Sequence, residues 1–177
     1  RMYILTAIDL YSRTCFALAT RSHASQTMAH FLYLISEIFP YQIKNILTDN
    51  GSEFKKYFTL LCEEKVVTHF HTYPRTPKMN AHCERLNRTL QDEFIDYNIN
   101  LLFSDITKFN KGFEEYLEFY NTKRVHHAFR NKLTPLAVMV QSNQYKLSLP
   151  EECKDGWAYT IYCKNLKVVY SVLTITF

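Results

Sequence analysis

The sequence contains no apolar run approaching the ~20 residues needed to cross a bilayer, and no basic segment followed by an apolar one at its start, so it reads as soluble and intracellular. Its five cysteines (Cys15, Cys62, Cys83, Cys153 and Cys163) are odd in number and include no CxxC pair, which argues against a disulfide scaffold. Buried free thiols of a reducing compartment are the expectation. Nor do His69 with His71, or His82 with Cys83, have the paired C-x₂₋₄-C and H-x₃₋₅-H separations of a structural zinc site. Glycine occurs three times only, no repeat or low-complexity segment is present, and there is no initiator Met. The chain opens at Arg1 directly on a strand-like pattern, as a fragment of a longer protein would. What is present suits one folded domain: 177 residues, 47% hydrophobic and 15% aromatic, enough for one sizeable core. The net charge of +4 is a mild excess that fits a polyanion partner without requiring one.

Tyr3 to Asp9 and Thr14 to Ala19 are strand-like on either side of a turn, which predicts an antiparallel hairpin. Ser25, as N-cap, opens a helix to Phe39, with Met28, Phe31, Leu32, Ile35 and Phe39 at helical spacing and Pro40 as its stop. Ile43 to Thr48 predicts a short strand, DNGS a turn, Ser52 to Lys65 a second helix and Val66 to Tyr73 another strand. After a proline-rich loop from Pro74 to Met79, Asn80 can cap a long helix through about Tyr97. A further helix runs from Ser104, with Asp105 in its first turn, to about Asn121, and Thr134 to Gln141 is helical again. Strands interleaved with helices predict an α/β sheet with helices on its faces, and such sheets place ligands beyond the carboxyl ends of their strands. Residues 1–143 form that unit; residues 144–177, with Trp157, Tyr159, Ile161 and Val168 to Phe177, read as a β-rich tail with no assigned role.

Asp49 stands at such a strand end, in LTDNGSEF. Glu84 lies in the first turns of the helix NAHCERLNRTL, with Arg88 and Gln91 at i+4 and i+7 on its face. Converging, the two carboxylates could hold a divalent cation, because Mg²⁺ takes carboxylate oxygens and keeps waters for its other positions. On spacing alone, an Asp-Asn-Gly is most often a turn and a Glu before an Arg early in a helix is most often a solvated pair.

LTDNGSEF, then PRTPKMNAHCERLNRTLQDEF, then YNTKRVHHAFRNKLTP resemble the integrase catalytic core of bacterial insertion-sequence transposases and retroviral integrases, over roughly Tyr3 to Val140. The resemblance implies a ribonuclease-H-like mixed sheet with flanking helices. In that family an Asp in TDNG and a Glu in the ER motif about 35 residues on are two of three carboxylates that bind Mg²⁺ or Mn²⁺; Glu84 follows Asp49 by 35. It further implies cleavage and joining of DNA by metal-dependent transesterification, with transposon ends and target DNA as partners and a homo-oligomer as the complete assembly.

The pattern breaks at the start. The family's first catalytic Asp lies on a strand upstream of the segment like YILTAIDLYSR, so this chain is expected to lack that strand and its Asp; Asp9 reads instead as a turn cap beside Ser12. Without that ligand a two-metal mechanism loses much of its geometry, and a non-catalytic remnant that binds DNA or a full-length transposase is the competing reading. A second departure is Ala81, where many relatives carry Gly. Around the carboxylates Lys78, Arg85, Arg88, Arg124 and His126 are candidate phosphate contacts, with Asn50, Asn80 and Gln91 as possible hydrogen-bonding partners of the strand.

Overall fold

The computed structural model describes residues 1–72, 77–144 and 160–168, with backbone alone described for 77–80, 142–144 and 160–168. Strands β1 (Met2–Asp9), β2 (Cys15–Thr20), β3 (Asn45–Thr48), β4 (Thr68–His71) and β5 (Thr160–Val168) form one sheet in the order β2-β1-β5-β3-β4. β1 is antiparallel to β2 and to β5, whereas β3 is parallel to β5 and to β4. The segment read from sequence as a tail thus contributes a strand between β1 and β3, where it satisfies the backbone groups that β2 leaves free on the other side of β1.

Strand β1 is buried on both faces and divides the core in two. Ile4 and Ile8, with Leu47 of β3, pack beneath Cys83, Leu86 and Leu90 of α3 (Pro77–Leu90) and Phe109, Phe113 and Tyr120 of α5 (Ile106–Thr122). Leu5 and Ala7, with Ile46, pack against Met28, Phe31, Leu32 and Ile35 of α1 (Ser25–Ile38) and Phe58 and Cys62 of α2 (Tyr57–Glu64). A period of two on the strand puts alternate residues on opposite faces, so the same eight residues line both cores. Thr6, on the α3 side, donates from Oγ1 to Asn87 Oδ1 at 2.9 Å, and both residues are fully buried. That bond fixes where α3 lies along β1.

Several ends differ from expectation for local reasons. Ser25 does not cap α1, whose N-cap is Ala24; its hydroxyl accepts the amide of Phe58 and so ties α1 to α2. The expected helix over 52–65 is broken into a short 3₁₀ turn, Ser52–Phe54, and α2, because Lys56 takes a positive φ of 50° between them. Asn80 is inside α3 rather than at its cap, since Pro77, suited to a first helical position, begins the helix earlier. Ala81 therefore sits in helix, where alanine is favourable. Beyond Leu90 the chain stays helical through a π turn, Gln91–Ile95, a 3₁₀ turn, Asp96–Asn98, and α4 (Ile99–Ser104). Asp105 then caps α5, accepting the amides of Thr107 and Lys108. The last helix is α6 (Pro135–Gln144). Cys15, Cys62 and Cys83 are buried free thiols; Cys153 and Trp157 lie outside the described residues.

One packing feature is specific to the sheet's edge. Asn121 of α5 accepts the amide of Cys15 on Oδ1 and donates from Nδ2 to the Cys15 carbonyl, both at 2.9 Å, and Asn110 does the same to Ala19. β2 is an edge strand, and two side-chain amides occupy backbone positions that a further strand would otherwise pair.

Candidate functional site

Asp49 follows the last residue of β3. Leu47 faces α3 and α5, and the pleat returns position 49 to that same side. Thr48 points the other way, where its hydroxyl meets His69 Nε2 at 2.8 Å and donates to the Asp49 carbonyl at 2.8 Å. His69 and His71 share that face with ring centroids 4.2 Å apart, as the HFH alternation predicts. Burial, and then the neighbouring His71, hold His69 down at about 4. This polar group lies behind the strand end and braces the Asp49 backbone from beneath.

In front, Asp49 Oδ1 accepts the amide of Gly51 at 3.0 Å, the turn that DNG forms readily. Gly51 has an ordinary φ of −57°, so its requirement is for space: a Cβ there would stand 2.5 Å from Glu53 Oε2 and 3.0 Å from Asp49 Oδ1. Glu53 therefore folds back toward the Asp49 carboxylate, a neighbour the sequence reading missed although it stands four residues on in the same motif. Asn50 is exposed and its Nδ2 donates to the Thr72 carbonyl at 3.2 Å, holding the loop.

Glu84 is exposed on α3, adjacent to Cys83 and one turn before Asn87, the two residues that meet Thr6. Thr6 pairs with position 164 of β5, and the β5–β3 register, carried two residues past Leu47, brings position 164 level with Asp49. The segment of α3 that bears Glu84 thus packs at the level of Asp49, two strand spacings across the sheet, or roughly 10 Å. Neither carboxylate is in an ion pair among the described residues. As oxygen donors on one sheet face they suit a hard divalent cation with water in its remaining positions, although no three His, Cys, Asp or Glu side chains converge on one point among the described residues.

The structure distributes the other candidates unevenly. Arg88 is 81% exposed beside Glu84 and lies 3.6 Å from Asp92, a pair weak enough to be exchanged for a ligand. Arg85 is exposed. Gln91 does not share the Glu84 surface: it is 7% exposed at the start of the π turn, and its Nε2 donates to Asp96 of the following 3₁₀ turn. The side chains of Lys78 and Asn80 lie outside the described residues. Arg124 pairs with Glu93 at 2.6 Å, and His126 is half-buried beside Tyr120. Asp9, 2% exposed, accepts the Ser12 amide at 2.8 Å and hydroxyl at 2.6 Å and so closes the β1–β2 turn as a cap. Burial raises its carboxyl above the usual range, against the Ser12 bonds that lower it.

Residues 1–77 match one family described as integrase core domain, and residues 65–135 match a second family of the same description. The retrovirus-related Pol polyprotein from transposon TNT 1-94 of Nicotiana tabacum is 31% identical over 94 residues, which make up 51% of this chain but only 7% of the polyprotein. Among solved structures, the catalytic core domain of BIV integrase superposes with a TM-score of 0.63 over 82% of this chain and 90% of that domain, at 20% identity, a likeness of fold. No described helix is long and apolar enough to cross a membrane. A ribonuclease-H-like sheet, with two integrase core domain matches that together run from residue 1 to 135, supports a core of the DDE integrase and transposase type.

Proposed function

We propose that the chain is the catalytic-core portion of a transposase that cleaves and joins DNA ends by divalent-metal-dependent transesterification. The observation that carries this reading is the common sheet face of Asp49 and α3, with Glu84 at the matching level and both carboxylates out of any ion pair among the described residues. Asp49 and Glu84 would hold Mg²⁺ or Mn²⁺, which when bound supplies activation of an attacking oxygen and stabilisation of a leaving one. Gly51 and the Thr48 hydroxyl fix the turn that presents Asp49, and Thr6 with Asn87 fixes the helix that presents Glu84. Arg88 would hold a phosphate beside Glu84, with Arg85, Arg124, His126, Lys78, Asn50 and Asn80 as further contacts to the strand; Gln91, being buried, is left out of that set. The partners would be transposon ends and target DNA, and the complete protein would act as a homo-oligomer.

A second reading, a binding-only product, has one observation in its favour. A strand leading into β1 through a tight turn would pair antiparallel with β1 on the side β2 leaves free, and β5 runs there. The β5 sequence, TIYCKNLKV, contains no Asp or Glu, so that position offers no third carboxylate. The two readings separate in one strand-joining assay with a labelled donor end and Mg²⁺ or Mn²⁺. Joining by the chain that is lost in Glu84→Gln, with DNA binding retained, supports catalysis; retained joining in Glu84→Gln sinks the carboxylate assignment. DNA binding with no joining by the unsubstituted chain supports the binding-only product.

A further inference from the structure

On the side of α3 turned away from Glu84 lies a cavity of about 250 Å³. Its polar lining comes from His82 and Arg85 of α3 and from Arg124, His126, His127 and Asn131 beyond the end of α5. Among the described residues no carboxylate lines it, and Arg124 is paired with Glu93 at 2.6 Å. Tyr120, also in the lining, meets His126 Nε2 at 3.3 Å, while His126 Nδ1 accepts the amide of Ala128. That amide fixes the neutral ring with its proton on Nε2, directed at Tyr120, and leaves the Tyr120 hydroxyl hydrogen free for another acceptor. Beneath them Arg13, whose Nη1 is buried without a hydrogen-bond partner among the described residues, adds a further guanidinium next to Asp9. The histidines report the resulting field: burial first, and then Arg13, lower His82, and burial followed by Arg13, Arg124, Arg85 and His127 lowers His126. A concave site rich in donors, with no carboxylate in its lining among the described residues, has the composition of an anion receptor, and the volume exceeds the ≈ 30 Å³ share of one water several-fold.

We propose that this cavity seats a backbone phosphate of a nucleic-acid strand, as a second anchoring point separate from the metal carboxylates. The proposal rests on DNA being the partner, as argued above. On α3, His82, Arg85 and Thr89 line the cavity, and at 3.6 residues per turn Glu84 lies at least a quarter turn away with Arg88 between it and Arg85. A strand anchored in the cavity crosses the exposed side of α3 past Arg88 and reaches Glu84, so the cavity sets which phosphate arrives at the carboxylates.

The test follows the histidine ring resonances of the full chain during titration first with inorganic phosphate and then with a short random-sequence DNA duplex. The expected result is movement of the His82, His126 and His127 signals while those of His23 and His30 stay, together with a loss in Arg85→Gln of roughly three- to tenfold in DNA affinity and about 0.9 of salt slope, one phosphate's share. Lys44→Gln, on the connection into β3, serves as the charge-matched control. Movement with both probes shows a phosphate receptor that accepts free and esterified groups; movement with DNA alone shows one that requires the strand. If phosphate moves the rings but bound DNA does not, the cavity is a small-anion site and the proposal fails. If DNA binds the chain and Arg85→Gln equally and no ring moves, the proposal fails while the function above stands. Absence of DNA binding overturns both.

Discussion

Replacing Asn121 by alanine removes the pair of 2.9 Å bonds that cover the Cys15 end of β2. Each such bond contributes a net 0.5–1.5 kcal/mol, and a buried backbone group left unpaired costs ≈ 1–3 kcal/mol. Cys15 is 1% exposed, so water does not reach its amide and carbonyl without a local opening, and a loss of about 2–4 kcal/mol is expected, set by the two bonds and the unpaired groups together. Asn121→Asp keeps the acceptor but loses the donor, and places a carboxylate against the Cys15 carbonyl, so it should be no more stable than the alanine variant. Asn110 and Asn121 are 11 residues apart on α5, about 16 Å, while Cys15 and Ala19 span about 13 Å of strand, so the helix runs alongside the edge. At that separation the two losses should add within about 0.5 kcal/mol. Urea titration, with a shift in midpoint at constant slope, measures both. A loss under about 0.5 kcal/mol for Asn121→Ala would refute the argument that these amides stand in for a missing neighbour strand. Their removal also uncovers a ladder edge, so light scattering should rise in the double variant.

Three further outcomes follow from the same geometry. His69 is held at about 4 against 6.5 when unfolded, so its neutral form belongs to the folded state: its contribution is present above pH 6.5 and is lost as pH falls from 6.5 through about 4. His69→Gln, which keeps a donor and acceptor for Thr48, should therefore show a smaller fall in urea midpoint between pH 7 and pH 5 than the unsubstituted chain; an equal fall would assign the dependence elsewhere. Gly51→Ala drives a methyl group to within 2.5 Å of Glu53 Oε2, the end of a flexible side chain that can swing away, and 3.0 Å from Asp49 Oδ1. Metal-dependent activity, or Mn²⁺ affinity by paramagnetic relaxation, should drop about tenfold or more while the melting temperature moves by only a few degrees; the reverse order would make Gly51 structural. Ending the chain after Gln144 removes β5 and bares the facing edges of β1 and β3, so the shortened chain should elute as an aggregate in size exclusion, and a well-behaved monomer would show that the β5 pairing is dispensable.

The elements with a clear period were legible. The stripe from Ile106 to Tyr120 and the strand from Tyr3 to Asp9 both appear as read, the first because one buried face dictates the spacing and the second because a short β-rich run buried on both faces suits the centre of a sheet. Asp49, just past the end of β3, and Glu84, on α3, also fall on the elements expected for them, though the earlier start of α3 puts Glu84 mid-helix rather than in its first turns. What could not be read depended on contacts far apart in sequence. Ser25 has the chemistry of a cap but bonds to Phe58, and Gln91 has the spacing of an exposed helix position but is buried at the start of a π turn that no periodicity announces. Glu53 is four residues from Asp49, yet only the turn shows that its carboxylate folds back. β5 was the least legible, since its place is set by two ladders with strands more than a hundred residues earlier.

The stretch YNTKRVHHAFRN shows how one motif carries two kinds of work. Asn121 is bound to the backbone of Cys15, so it holds α5 on the sheet edge and cannot also face a ligand. Tyr120 stands with its ring in the core among Ile8 and Leu86 and its hydroxyl at the cavity, which joins the packing of α5 to the anion receptor through one side chain. Arg124 reaches back to Glu93, in the π turn that ends α3, at 2.6 Å. A shift of α5 along β2 would therefore move Tyr120 and Arg124 together, and with them the cavity wall facing His82 and Arg85. The clamp at Cys15 holds the end of α5 that carries Tyr120 of that lining, so a variant at Asn121 that still folds is expected to lose phosphate-dependent movement of the His126 signal even though Asn121 touches no phosphate. A folded Asn121→Ala chain whose His126 still moves fully with DNA would separate the clamp from the cavity and leave Asn121 with stability alone.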